Sequence, residues 1–232
     1  MSKRVAILQS NYIPWKGYFD LINMVDLFVL YDDMQYTRRD WRNRNKIQTQ
    51  QGLKWLTIPV DVKGKYLQKI NETRVSNKDW ARNHWDIICH NYSKGKCFDR
   101  YKTQFQLLYE KASKYEFLSE INYLFISEIC NLLEIETSLI PSGEFKLRDG
   151  KSEKLLGICE DLEASEYLTG PSAKDYLCES IFTDAGINVS WMDYSGYPEY
   201  NQLYPPFEHG VTILDLLFNE GENAYKFMKI NM

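Results

Sequence analysis

Apolar and polar positions along this chain switch between two periods, and the switches mark its elements. Val5-Ala-Ile-Leu8 is a continuous apolar run of strand length. Tyr18, Leu21, Ile22 and Val25 then share one helix face, and Leu27 to Tyr31 is a second apolar run. Strand, helix and strand in that order predict a right-handed parallel unit. Asn45 to Thr49 and Lys54 to Val60 flank Gln51-Gly52 and predict a hairpin, with Pro59 near a strand end or edge. Ile70 to Val75 reads as another short strand.

The middle of the chain changes to helical spacing. Asn77 is placed to cap a helix over Lys78 to Tyr92, with Trp80, His84, Ile87 and Ile88 on one side. After the Ser93-Lys-Gly-Lys96 break come helices over Phe98 to Lys114 and Phe117 to Leu133, the latter apolar enough for a core helix. The last third alternates again. Ser138 to Pro141, Glu166 to Leu168 and Ile187 to Met192 read as strands, and Lys151 to Leu162 and Thr212 to Phe218 as helices. Strands alternating with helices at both ends predict an α/β fold: a mostly parallel sheet flanked by helices, with a β-hairpin and a helical insertion in the middle. We expect one domain over residues 1–232, with residues 77–135 as the insertion.

Composition narrows the class. With 232 residues and 44% hydrophobic content the chain can bury a sizeable core, and no apolar run is long enough to span a bilayer. Met-Ser-Lys-Arg leads into a strand-like run too short for a secretory signal, so a soluble cytoplasmic protein without membrane insertion is expected. The five cysteines include no Cys-x-x-Cys pair and read as reduced thiols rather than disulfides or a zinc site. His84 and His90, six apart, do not share a helix face, and no metal site is expected. Nor is there a Gly-x-Ser-x-Gly elbow, a Gly-x-Gly-x-x-Gly turn or a Walker loop. The formal charge of −4 argues against broad nucleic-acid binding. Arg38, Arg39, Arg42, Arg44, Lys46 and Lys54 nevertheless crowd one segment among Tyr36, Trp41 and Trp55. That segment suits a phosphorylated small molecule before RNA, and equally a solvated surface.

Three segments hold candidate chemistry. Gln9-Ser-Asn-Tyr-Ile-Pro-Trp-Lys-Gly-Tyr-Phe19 joins the first strand to the first helix, where open α/β sheets bind ligands. It is rich in aromatic and amide groups. Thr169-Gly-Pro-Ser-Ala-Lys174 follows a later strand. Gly170 allows close backbone approach, Pro171 suits a first helical turn, and Lys174 beside exposed N–H groups favours a bound anion; an ordinary capped helix fits as well. Asp32 and Asp33 end the second strand, where paired carboxylates hold an amine, bind a metal-nucleotide or act as a general base, or simply form a turn. A tyrosine-dense loop with Tyr194, Tyr197, Tyr200, Gln202 and Tyr204 suits sugar or nucleobase recognition, core packing or a subunit interface, which leaves a homo-oligomer open.

Together these stretches resemble the WbqC-like protein family. The resemblance rests on Gln9 to Phe19, Leu30-Tyr-Asp-Asp33, Arg42-Asn-Arg-Asn-Lys-Ile47, Trp55-Leu-Thr-Ile-Pro-Val60, Tyr167-Leu-Thr-Gly-Pro-Ser-Ala-Lys-Asp-Tyr-Leu177 and Ile213-Leu-Asp-Leu-Leu-Phe-Asn219, in order along the chain. Ser10 stands where the family more often has proline. The resemblance implies a setting in bacterial surface-polysaccharide and O-antigen gene sets. It therefore implies an enzyme acting on a nucleotide-linked amino sugar. A weaker resemblance, of the strand, Pro-x-x-Gly loop and helix to nucleotidylyltransferase-like folds, places Trp15-Lys16-Gly17-Tyr18 where those have a His-x-Gly-His site; both histidines are absent here.

The expected activity is amide formation by a transferase or an ATP-dependent ligase, with a non-catalytic assembly protein of the same pathway as the alternative. Lys16, Arg44 and Lys174 would hold phosphates, and Asp32 or Asp33 would orient or deprotonate the amine. Gln9, Asn11 and Tyr18 would position the acceptor or carbonyl. Tyr12, Trp15, Gly17, Asn45, Gly170, Pro171, Ser172, Tyr176 and Gln202 complete the candidate binding set. A free-acid acyl donor would imply ATP with magnesium; a thioester would need neither.

Overall fold

Four-residue apolar runs become buried strands because both faces of the sheet are covered. In the computed structural model, which describes residues 2–229, strands β1 (Arg4–Leu8), β2 (Leu27–Leu30), β5 (Ser138–Pro141), β6 (Glu166–Thr169) and β7 (Asn188–Trp191) form one parallel sheet in the order β5-β2-β1-β6-β7. Val5 pairs with Leu27 on one side of β1 and with Tyr167 on the other. The period-two alternation sends neighbours to opposite faces. Ala6, Phe28, Leu30 and Leu168 face a core shared with helices α1 (Lys16–Asn23), α2 (Trp80–Tyr92), α3 (Phe98–Ala112), α4 (Leu118–Leu132) and α7 (Ile213–Glu220). Val5, Ile7, Val29 and Tyr167 face α5 (Lys151–Asp161) and α6 (Glu179–Asp184).

This arrangement fixes where a ligand can sit. Counting the sheet strands alone in chain order, the sheet reads 3-2-1-4-5, the doubly wound order. The order reverses between β1 and β6, and α1 and α5 lie on opposite faces there. The crevice outside the carboxyl ends of those two strands is the topological switch point.

Between β2 and β5 the chain inserts the antiparallel hairpin β3 (Arg44–Thr49) and β4 (Gly52–Thr57), then the three helices α2 to α4. The expected strand over Ile70 to Val75 is instead a 3-10 turn, Ile70–Glu72, followed by isolated bridges of Arg74 to Phe117 and Val75 to Val60. The buried positions there, Ile70 and Thr73, are three apart, and the Thr73 hydroxyl donates back to the Lys69 carbonyl at 2.8 Å. Asn77 accepts the Asp79 N–H at 2.8 Å, so it starts the turn that precedes α2 rather than capping the helix itself. The segment after β6 is also corrected: Pro171–Asp175 is a 3-10 turn, and the α-helix begins only at Glu179. No helix among the described residues is long and apolar enough to cross a membrane.

Candidate functional site

The loop from Gln9 to Trp15 leaves the sheet at its switch point and is held by bonds that the rest of the fold supplies. Asp32 accepts the Ser10 N–H at 2.9 Å, and Asn122 donates to the Ser10 hydroxyl at 2.9 Å and to the Arg42 carbonyl at 2.9 Å. Ile13 takes a left-handed conformation, φ 40°, which is costly for a β-branched residue. Asn45, on β3, secures it by donating to the Tyr12 and Ile13 carbonyls at 3.1 and 2.7 Å. The Pro14 carbonyl then accepts the Ile213 N–H at 2.9 Å. The loop is thereby fastened to the hairpin, to α4 and to α7.

Trp15 precedes α1 and folds back over its first turn. A Cβ on Gly17 would lie 2.4 Å from the Trp15 ring, so glycine is what lets the indole lie there. Trp15 meets Tyr194 and Tyr197 at ring-centre separations of 5.3 and 5.5 Å. These rings, with Trp41, Asn11, Asn45 and His209, line a cavity of about 480 Å³, a size suited to a small ligand. Arg42 donates to the Asn11 side-chain oxygen, which orients that amide. Among the described residues, no carboxylate lines this cavity.

Of two basic groups here, His209 lines the cavity and Lys16 lies against the Tyr197 ring of its wall. Lys16, only 3% exposed, donates to the Pro198 carbonyl at 3.1 Å and lies over the Tyr197 and Tyr200 rings at 4.9 and 5.3 Å. Burial pushes its pKa down to about 8, against the opposing field of Asp20. His209 packs edge-on against Phe207, and its Nδ1 is buried without a hydrogen-bond partner. Burial, reinforced by the neighbouring Lys16 charge, holds the imidazole below its ordinary pKa and hence neutral at pH 7. A neutral histidine with a free ring nitrogen accepts protons. Sequence reasoning passed over His209; its only signal was a rare histidine following the tyrosine-rich loop.

The other sequence candidates divide by what already occupies their polar atoms. Tyr12 is fully buried, its hydroxyl bonded to His84 Nδ1 at 2.9 Å and to the Tyr109 hydroxyl at 2.8 Å. Tyr18 donates to the Gln9 carbonyl at 3.0 Å from within the core. The Gln202 amide nitrogen serves Tyr200, Glu208 and Asp215, and its oxygen accepts the Glu208 N–H at 2.8 Å. These three build the scaffold rather than face a ligand. Asp33 accepts the Ser142 hydroxyl at 2.8 Å and pairs with Lys69 at 3.1 Å. Against the opposing effect of burial, those bonds hold it below the usual carboxylate range, which makes it a poor base. Asp32 is buried and raised by that burial, although the Ser10 bonds and Arg42 pull the other way. Its Oδ1 anchors the loop, while its residue borders a second cavity of about 480 Å³ between the end of β2 and α4.

Arg44 lies 4.1 Å over the Trp55 ring on the hairpin. Lys174 lies 5.2 Å over the Trp191 ring on an exposed turn with Pro171 and Ser172, outside the aromatic cavity. Gly170 comes nearest to Tyr194, whose hydroxyl is 3.8 Å from where a Cβ would be. Gln9 and Tyr176 line a third, separate cavity. The two strand-end segments thus meet only at this third cavity, through Gln9 and Tyr176, while the aromatic cavity takes its lining from the first segment and not from residues 169–176. No cluster of three or more His, Cys, Asp or Glu side chains able to hold a metal ion is present among the described residues.

Comparison with known proteins agrees with the motifs. The WbqC-like protein family matches residues 9–227, so the chain belongs to that family. It is 48% identical over 227 residues to the uncharacterized protein Rv1507c of Mycobacterium tuberculosis, covering 98% of each chain. No solved structure matches it.

Proposed function

We propose that this member of the WbqC-like family is an enzyme that forms an amide on the amine of a nucleotide-linked sugar, with the aromatic cavity as the acceptor site. The observation that carries the reading is the cavity itself: four aromatic rings and two oriented asparagines around a neutral histidine. Aromatic faces stack on sugar rings and bases, and the Asn11 amide nitrogen, oriented by the Arg42 bond to its oxygen, discriminates hydroxyl and acyl groups. Asn45, its own amide already committed, holds the wall in place.

In this reading the amine attacks the acyl carbon of a thioester or an acyl phosphate. The C–N bond forms, the C–S or C–O bond breaks, and the thiolate or phosphate departs with the electron pair. His209 takes the proton released from the amine. The Lys16 ammonium, held by Pro198 and two tyrosine faces, stabilises negative charge developing on the acyl oxygen or the leaving group. Lys16 is thus kept among the candidate catalytic groups, Asp32 becomes a positioning group for the loop, and Asp33 a tie between Ser142 and Lys69.

The test is a thermal-shift panel of ATP, UDP-sugars, dTDP-sugars and acyl thioesters on the wild type, Trp15→Ala and His209→Asn. A nucleotide-linked amino sugar should stabilise the wild type and bind at least tenfold more weakly to Trp15→Ala. His209→Asn should bind it but lose turnover. Stabilisation of the wild type by no nucleotide would sink this proposal. A second reading, a non-catalytic assembly protein, draws support from the exposed Trp41, Leu53 and Trp55 of the hairpin region and from Tyr66 and Leu67 beyond it. It expects a stable complex with a pathway enzyme that alanine substitution at Tyr66 and Leu67 breaks.

A further inference from the structure

On the opposite side of the Gln9 loop from the aromatic cavity lies a crevice of about 340 Å³ at the carboxyl ends of β1 and β2. Its polar wall is made by Gln9, Tyr31, Lys151, Lys154 and Tyr176, and no carboxylate lines it. Neither lysine forms an ion pair among the described residues. Tyr31 is 7% exposed, and its hydroxyl has no hydrogen-bond partner among the described residues although it lines the crevice. Asp33, whose charge acts on Tyr31, is committed to Lys69 and Ser142. The N-terminus of α5 does not supply the seat, because the Glu153 carboxylate folds over Gly150 there. What remains is a recess with two cations unpaired among the described residues, two phenols and an amide. It lies outside the carboxyl ends of β1 and β2 and reaches toward the switch point through Tyr176, which follows β6.

We propose that this crevice binds the phosphate groups of a phosphorylated ligand, with Lys151 and Lys154 as its counter-charges and Tyr31 and Gln9 as hydrogen-bond donors. Lysine is suited to this as a mobile point charge, and a phosphate oxygen can accept the Tyr31 hydroxyl, which faces the crevice with no protein partner among the described residues. The site shares the Gln9–Asn11 loop as a wall with the aromatic cavity. Only its identification as the nucleotide half of a two-part active site rests on the proposed activity; phosphate binding does not.

The probe is inorganic pyrophosphate, titrated calorimetrically at fixed ionic strength into the full chain, with ATP and a UDP-sugar as parallel arms. The Lys151→Ala/Lys154→Ala double variant should weaken pyrophosphate at least tenfold, and Tyr31→Phe at least threefold, without moving the unliganded Tm. His209→Asn should leave pyrophosphate affinity unchanged. Both lysines are at least partly exposed, so folding is not at stake. Absence of pyrophosphate binding to the wild type, equal affinity in the double variant, or loss in His209→Asn overturns the proposal. Tighter binding of ATP or the UDP-sugar than of pyrophosphate assigns a nucleotide; equal binding assigns free phosphates. If pyrophosphate binds here while no sugar nucleotide engages the aromatic cavity, the enzymatic reading fails and this one stands.

Discussion

Lys16 carries a charge in a place that resists it, and the consequence is measurable without knowing the ligand. Its pKa falls from an ordinary 10.5 to about 8 because burial disfavours the ammonium. Below pH 8 both folded and unfolded chains are protonated, and the folded state bears the full desolvation cost. Between pH 8 and 10.5 the unfolded chain still holds the proton and the folded chain does not, so stability rises with pH across that window. The gap corresponds to about 3 kcal/mol at roughly 1.4 kcal/mol per pH unit, an upper figure that local relaxation reduces. Lys16→Met keeps the stem and removes the charge. Urea unfolding followed by tryptophan fluorescence at pH 7, 8, 9 and 10 gives the stability of both proteins. The wild type should gain on Lys16→Met by about 2 kcal/mol between pH 8 and 10. Ionisation of unfolded tyrosines near pH 10 affects both proteins alike. At pH 7 the variant should be as stable as the wild type or more so, since the lost Pro198 bond and cation–π contacts are offset by removal of a buried charge. A stability difference that stays flat from pH 7 to 10 would refute the assignment of Lys16 as a buried, depressed lysine.

Gly17→Ala drives a methyl group into the Trp15 ring, so the indole must leave its position over α1. We expect a loss of about 1–3 kcal/mol and a red-shifted tryptophan emission, with unchanged stability counting against the packing argument. Asp215 is 1% exposed and accepts from Tyr92 at 2.7 Å, Tyr200 at 2.8 Å and Gln202 at 3.0 Å. Asp215→Asn turns an amide donor toward those donors and should cost about 2–4 kcal/mol, lowering Tm by roughly 5–15 °C in calorimetry. A Tm within about 2 °C of wild type would mean that the carboxyl is held protonated instead of accepting all these bonds.

The centre of the sheet was legible because β1 and β2 are buried on both faces, so their signal is a short continuous apolar run that survives without context, whereas the edge strands β5 and β7 are only partly buried. The hairpin was legible from Gln51-Gly52, with Gly52 in a left-handed conformation at φ 96°. Two segments were misread for one shared reason. Ile70 to Val75 has the β-branched residues Ile70, Thr73 and Val75 of a strand, but only Ile70 and Thr73 are fully inside, and three-residue spacing belongs to a turn. After β6, Pro171 does open a helical turn, yet Ala173 is the one buried residue from Pro171 to Tyr176. Leu177, one turn on, is only partly buried, and its N–H closes a last turn on the Ala173 carbonyl at 2.8 Å before α6 begins at Glu179.

At the site the difference is sharper. A tyrosine, asparagine or glutamine in a loop looks the same in sequence whether its polar atoms are free or consumed, and only tertiary contacts decide which. Tyr12 is spent on His84 and Tyr109, which lie in the inserted helices, and Gln202 on bonds that close its own loop. Asn11 and Trp15, from the same opening segment as Tyr12, line the cavity because Asn45 pins Ile13 between them in a conformation that turns the chain outward. His209 joins them from near the other end of the chain, its pKa lowered by burial and then by the charge of Lys16. That pairing also explains the electrostatics of the space. The cavity offers a neutral base beside a buried ammonium and has no carboxylate among its walls, so the group that completes it is one that brings its own negative or developing charge. An acyl phosphate or a sugar nucleotide meets that requirement, whereas a cationic ligand would leave Lys16 facing a like charge in a poorly solvated site.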